Sequence, residues 1–144
     1  MGPADATAEQ LEIAEAVGRG LAEAGATVIT GGHGGVMAAA CRGAARAGGT
    51  TLGILPGNER QAANEWVTVA VATGLGELRN GLIVRAADAV VAVGGAYGTL
   101  SEVALALKTG VPVVGISSWS IDGIEAVESA ADAVARALAL AAAA

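Results

Sequence analysis

Apolar positions recur at helical spacing over residues 8–24, where Leu11, Ile13, Ala14, Val17 and Leu21 share one side of a 3.6-residue repeat. Thr7 and Gln10 stand at the spacing of a capping box before that segment, and Gly25 follows it as a C-terminal cap. Residues 26–30 (A-T-V-I-T) are short, apolar and β-branched, which predicts a buried strand. The glycine loop 31–35 then leads into a small-residue helix over 36–47, which Gly48 and Gly49 end. By the same reasoning 51–55 is a strand, 58–64 a polar loop after Pro56 and Gly57, 66–72 a strand and 75–87 a helix. Residues 88–93 (D-A-V-V-A-V) form the strongest strand signal, followed by a helix at 99–108, a strand at 111–116 and a last helix over 124–140.

Apolar strands that alternate with helices predict an α/β fold: a Rossmann-like, doubly wound, mainly parallel sheet with helices on both faces. Such sheets bind ligands at the carboxyl ends of their strands. The segments to inspect are therefore 31–37, 56–64, 94–99 and 117–119. A doubly wound domain normally opens with a central strand, yet only Met1, Gly2, Pro3 and Ala4 precede the first helical segment. A further strand ending near Gly2 and Pro3 is expected in the intact domain; otherwise the fold starts with a helix.

Composition narrows the chemistry. The 144 residues suffice for a single domain over 1–144, and 53% hydrophobic against 15% charged residues excludes disorder from low hydrophobicity. With no Phe and 22 Gly, packing must rest on close approach of small-residue layers. A net charge of -6 with 8 basic residues excludes a nucleic-acid polymer as partner. No apolar run reaches the roughly 20 residues of a membrane helix, and residues 1–7 lack the pattern of a signal peptide, so a cytoplasmic protein without a membrane partner is expected. Cys41, His33 and Lys108 are each the sole residue of their type, which argues against a disulfide, a zinc site and a Schiff-base lysine; no metal site is expected.

The segment Gly94, Gly95, Ala96, Tyr97, Gly98, Thr99, Leu100, Ser101, Glu102 follows a strand and opens a helix. Glycines there let backbone N–H groups face an anion, and the helix dipole favours a phosphate. The segment is neither a Walker A loop nor a dinucleotide fingerprint, and a mononucleotide phosphate suits it better. Thr99 and Glu102 also have capping-box spacing, and capping alone accounts for both. A Glu in a first helical turn would be held ionised by the dipole, fit to act as a base or to stabilise a cation. The loop 31–35 reads equally as a ligand approach or as a tight turn, with Gly32, Gly35 and Met37 as its candidate binding residues. Arg79 suits a phosphate or ribose clamp, or a surface ion pair. His33 and Arg85 read as surface groups.

Taken together, segments 31–37, 51–56, 74–80, 88–102 and 111–116 resemble the lysine-decarboxylase-like nucleotide-binding family that includes the Lonely Guy (LOG) cytokinin-activating enzymes. Within it the chain looks most like the molybdenum-cofactor-carrier-like branch. LOG enzymes are Rossmann-like homo-oligomers that hydrolyse the N-glycosidic bond of nucleoside 5'-monophosphates. Their motif P-G-G-x-G-T-x-x-E matches at Gly95, Gly98, Thr99 and Glu102, and their catalytic Arg matches Arg79. The resemblance implies Arg79 and Glu102 as catalytic residues. It implies a phosphate or nucleotide site of Gly32, Gly35, Met37, Asn80, Gly94, Gly95, Ala96, Tyr97, Gly98 and Thr99. It also implies a homodimer or homotetramer that needs no cofactor and binds a small phosphorylated ligand, a nucleoside monophosphate or a molybdopterin-type molecule. Lysine decarboxylation is not expected of a chain with one Lys. Gly94 stands where the motif has Pro, Ala96 where it has Gly, and Asn80 where LOG enzymes have Lys. Ala96 would be strained if its position needs positive φ. The carrier-like relatives have the Arg-Asn pair and bind a phosphorylated pterin without chemistry.

Overall fold

The Thr7–Gln10 capping box forms as the spacing predicts, with both reciprocal hydrogen bonds, and starts helix α1 (Ala8–Glu23). The computed structural model describes residues 1–144. The chain continues through β1 (Val28–Thr30), α2 (Val36–Arg46), β2 (Thr51–Leu55), β3 (Val69–Ala72), α3 (Asn80–Ala86), β4 (Val90–Val93), α4 (Tyr97–Thr109), β5 (Val113–Ile116), β6 (Ile124–Ala126) and α5 (Ala130–Ala142). Single 3-10 turns precede β3 and α3, at Arg60–Ala62 and Gly76–Arg79.

All strand pairs are parallel, in two three-stranded sheets ordered β1-β2-β3 and β4-β5-β6. Strand alternation sends neighbouring residues to opposite faces, and helices cover both. Val90, Ala92 and Val113 pack against Val84 of α3 and Val103 and Ala106 of α4. On the other face Val114 and Ile116 meet Val17 of α1 and Ala133 and Ala137 of α5. Val93 packs on Ala14 of α1 and on Val36 and Ala39 of α2. The fold is the Rossmann-like α/β arrangement expected from the alternation of elements.

Two expectations need correction. The last helix does not run over 124–140: Ile124–Ala126 is a strand, because β5 offers its outer edge to it, with Val113 opposite Ile124 and Gly115 opposite Ala126. α5 starts only after Ser129, whose hydroxyl accepts from the Asp132 N–H. The helix expected over 75–87 is α-helical only from Asn80, after the 3-10 turn. No helix is long and apolar enough to cross a membrane.

Candidate functional site

β4 ends at Val93, and the chain leaves the sheet through Gly94, whose φ of 70° lies in the left-handed region that favours glycine. Ala96 is extended (φ -130°, ψ 174°) and unstrained, so replacing the motif's Gly there costs no backbone strain. This turn starts α4 at Tyr97, two residues before the expected helix start. The expected Thr99–Glu102 capping box is therefore absent: Ala96 is the N-cap, no side chain caps the helix, and Thr99 is its third residue. The first ladder bond runs from the Leu100 N–H to the Ala96 carbonyl at 2.9 Å. The N–H groups of Tyr97, Gly98 and Thr99 precede it and have no acceptor within the helix.

The surface over these amides is open, with Gly95, Ala96, Tyr97 and Gly98 all exposed. An aromatic wall stands beside it. Tyr97 is 84% exposed, and its ring stacks on Trp119 from the loop after β5, with centroids 6.2 Å apart and planes inclined by 28°. The Trp119 indole N–H donates to the Ala96 carbonyl at 3.3 Å. Ser117, two residues earlier, holds φ 48°, a strained conformation for a residue with a side chain.

Arg79 is half-buried and Glu102 buried, and the two influence each other electrostatically without a hydrogen bond between them. Arg79 donates through Nε to the Ile54 carbonyl at 2.8 Å, through Nη2 to Gly31 at 3.4 Å, and through Nη1 to the Asn80 side-chain carbonyl. The Asn80 amide reaches Ser101 Oγ at 3.4 Å, and Ser101 donates to the Gly98 carbonyl at 2.7 Å. One hydrogen-bonded chain thus ties the ends of β1 and β2 to the first turn of α4. Arg79 is neither a solvated surface group nor ion-paired; its guanidinium is engaged by backbone carbonyls.

Glu102 is only 8% exposed and borders a cavity of about 30 Å³ shared with Thr30, Gly31, Met37 and Ile83. No salt bridge joins it to Arg79. Burial pushes its carboxyl above the usual carboxylate range, against the opposing pull of the Met1 ammonium and Arg79. Arg79 is pulled below its ordinary value by burial, with Glu102 opposing. The expectation of a dipole-ionised first-turn Glu is therefore corrected: Glu102 lies beyond the first turn, and desolvation outweighs the charges that favour its anion.

A stability prediction follows from the sign. A carboxyl raised in the native state binds more protons folded than unfolded, so its unfavourable effect is absent below pH 4.5 and grows as pH rises above it. Glu102→Gln is expected to raise the urea midpoint at pH 7 and to leave it unchanged at pH 4. A midpoint lowered at pH 7 would show that the ionised carboxylate stabilises the fold.

The first glycine loop is closed by the chain itself. Gly35 is the N-cap of α2 with φ 62°, and a Cβ there would lie 2.2 Å from the Ala4 carbonyl oxygen. The Val36 N–H donates to the Pro3 carbonyl at 3.0 Å, so the N-terminal segment covers this helix end. Gly32 is buried with φ 79°, and Asn64 pins the loop by donating through Nδ2 to the carbonyls of Gly32 (3.2 Å) and His33 (2.9 Å). Met37 faces Glu102 across the small cavity. The predicted residues thus fall into two groups: Gly95 to Gly98 at an open surface between buried Gly94 and Thr99, and buried Gly32 and Glu102 with half-buried Gly35, Met37 and Arg79 beneath, with Asn80, also half-buried, between. Asn64 and Trp119 lie in segments expected at the strands' carboxyl ends and Ser101 in the 94–102 segment, but the sequence assigned none of the three a role. For Trp119 a signal existed, a large aromatic at a strand's carboxyl end in a chain with 2% aromatics.

Parallel strands wrapped by helices, with a glycine turn that opens α4 at the carboxyl end of β4, define a Rossmann-like protein of the LOG-like class. The chain belongs to the SLOG cluster4 family, whose model matches residues 1–143. It is similar to the structure of the molybdenum cofactor binding protein from Rippkaea orientalis, at 35% identity and TM-score 0.92, covering 97% of this chain and 93% of that one. It is likewise similar to the structure of the Moco carrier protein from Chlamydomonas reinhardtii, at 36% identity and TM-score 0.91, covering 100% and 96%. An uncharacterized protein of Archaeoglobus fulgidus is 39% identical over 135 residues, 93% of this chain and 89% of that protein.

Proposed function

We propose that this protein is a cytoplasmic, non-enzymatic carrier of a phosphorylated pterin of the molybdenum-cofactor type. The observation that carries this reading is the separation of the exposed helix start at Tyr97 and Gly98 from the withdrawn Glu102. The phosphate sits on the amides there and on the positive end of α4. The pterin's flat face lies against Tyr97 and Trp119. Asn80, held by Arg79, sets the first turn of α4 through Ser101. N-glycosidic hydrolysis requires a carboxylate at the sugar's anomeric carbon. The space at Glu102, about 30 Å³, holds about one water and no ribose. The names of the Rippkaea and Chlamydomonas relatives support the same ligand class.

The test presents the purified protein with molybdenum cofactor freshly released from a molybdoenzyme and, separately, with a panel of nucleoside 5'-monophosphates. The cofactor is expected to co-elute with the protein and to be delivered to a cofactor-free molybdoenzyme, with no free base from any nucleotide. Base release that disappears in Glu102→Gln would overturn the carrier reading and establish a phosphoribohydrolase.

The carrier is a homodimer or homotetramer. Leu75 (47% exposed), Leu78 (79%) and Leu82 (43%) form an apolar ridge along the 3-10 turn and α3, beside Arg79. Leu78→Asp is expected to reduce the mass seen by light scattering to the 13.8 kDa of one chain; an unchanged mass would place the interface elsewhere.

A further inference from the structure

The glycines of the turn between β4 and α4 have different reasons to be glycine. Gly94 holds a left-handed φ, and a Cβ there would lie 2.5 Å from Gln10 Nε2. The φ of Gly95 lies outside the left-handed region, so its backbone is open to residues with a side chain. What a Cβ on Gly95 would meet is the Trp119 indole, at 2.9 Å from Nε1, 3.2 Å from Cδ1 and 3.4 Å from Cε2. The five-membered edge of the ring therefore lies on bare backbone, and a methyl group there would lift it. A Cβ on Gly98, further along the same segment, would meet nothing of the chain within 4 Å.

The loop that brings Trp119 to this seat is unfavourable in itself. Ser117 is the one residue with a side chain that holds a left-handed φ, 48°. Ser118 follows it with its hydroxyl oxygen buried and unpaired. Such features persist where the surrounding structure fixes them. Three contacts fix this loop: the Gly94 N–H donates to the Ile116 carbonyl at 3.1 Å, the indole N–H donates to the Ala96 carbonyl at 3.3 Å, and the ring stacks on Tyr97. The Ala96 carbonyl also takes the first ladder bond of α4, from the Leu100 N–H. The indole thus braces a helix start that no side chain caps.

We infer that Trp119 is a preset platform for a flat heteroaromatic ligand, with Gly95 and Ser117 as its positioning residues. Gly95 is the seat of the indole, and Ser117 is the turn that carries the ring to it. Gly95 touches no phosphate, although the motif resemblance counts it among the phosphate-binding residues. A ring already in place loses little freedom when a ligand stacks on it, and its flat face favours planar groups. The identity of the ligand rests on the carrier reading above; the seating of the ring stands apart from it.

The test is a cycle of Gly95→Ala and Trp119→Ala, singly and together, with Ser117→Val and Ser117→Gly beside it. The chain has two tryptophans, so two indole N–H signals are followed by hydrogen exchange; Trp119→Ala assigns them, and Trp66 is the internal reference. Gly95→Ala is expected to speed exchange of the Trp119 N–H roughly fivefold, the loss of one hydrogen bond, with Trp66 unchanged. Ser117→Val is expected to do the same, because the left-handed region excludes a β-branched residue, and Ser117→Gly to keep the parent rate. In titrations with molybdenum cofactor, Gly95→Ala and Trp119→Ala each weaken binding roughly 3- to 10-fold, the range of one aromatic contact. The double variant is expected to bind no more weakly than Trp119→Ala alone. An unmoved indole in Gly95→Ala, or a further loss when Gly95→Ala is added to Trp119→Ala, would overturn the proposal; the second result would return Gly95 to the residues that touch the ligand. A parent protein that binds no cofactor would instead sink the carrier reading and the platform's ligand with it, and indole exchange would still decide the seating.

Discussion

Gly43→Ala destabilises the protein by about 1–3 kcal/mol, the range of an overpacked contact, although the same change in an ordinary helix interior stabilises by up to about 1 kcal/mol. The sign reverses because α1 and α2 cross on glycine. A Cβ on Gly43 would lie 2.0 Å from the Glu15 carbonyl oxygen, and a Cβ on Gly18 would lie 2.0 Å from that of Ala40. Backbone, not a flexible side-chain end, stands in the way, so the helices must separate. Separation also pulls apart the ion pair that bridges them, in which Arg42 donates to Glu15 Oε2 at 2.8 Å and 3.1 Å. Gly81→Ala in α3 is the control, since its nearest neighbour would be Leu105 Cδ2 at an ordinary 3.7 Å. Urea unfolding of the two variants is expected to move the midpoint in opposite directions. A Gly43→Ala midpoint at or above that of the parent would show that the crossing has room for a methyl group.

This crossing explains how a chain with no Phe builds a core. Small-residue layers were legible in the composition, and so was the alternation of elements, because each short apolar run sits between glycine or proline boundaries. The Thr7–Gln10 cap and the end of α1 before Gly25 were equally local signals. β6 was not legible, because Ile124, Glu125 and Ala126 have no strong preference of their own and take strand geometry from the edge of β5. Ser129, three residues before Asp132, was a readable cap that the longer helical pattern obscured. At the site, residue types were readable and depth was not. Spacing made Glu102 look like a capping residue on an exposed first turn, whereas the Gly94 turn advances the helix start and carries Glu102 inward. The hydrogen bonds of Asn64 and Ser101 join segments distant in sequence, so no local pattern announces them.

Tyr97→Pro weakens binding of the phosphorylated ligand by roughly 10- to 100-fold, the equivalent of one hydrogen bond to a charged group, about 1.5–3 kcal/mol. Position 97 is the first residue of α4, where Pro's fixed φ suits the helix and its missing N–H breaks no internal bond. Ala96 before it is already extended, as the residue preceding Pro must be. The fold therefore tolerates the change, and thermal unfolding without ligand should show a shift of no more than a few degrees. Tyr97→Ala provides the complement: it keeps the N–H and removes the ring that stacks on Trp119. If the phosphate lies on the helix end, titration with molybdenum cofactor gives Tyr97→Ala a loss of less than about tenfold, from the aromatic contact alone, and Tyr97→Pro a clearly larger one. Equal losses would remove the amide from the site and leave the ring as the whole contribution of this residue. Unchanged affinity in both would move the ligand away from α4 altogether, and with it the proposed role of the Gly94 turn.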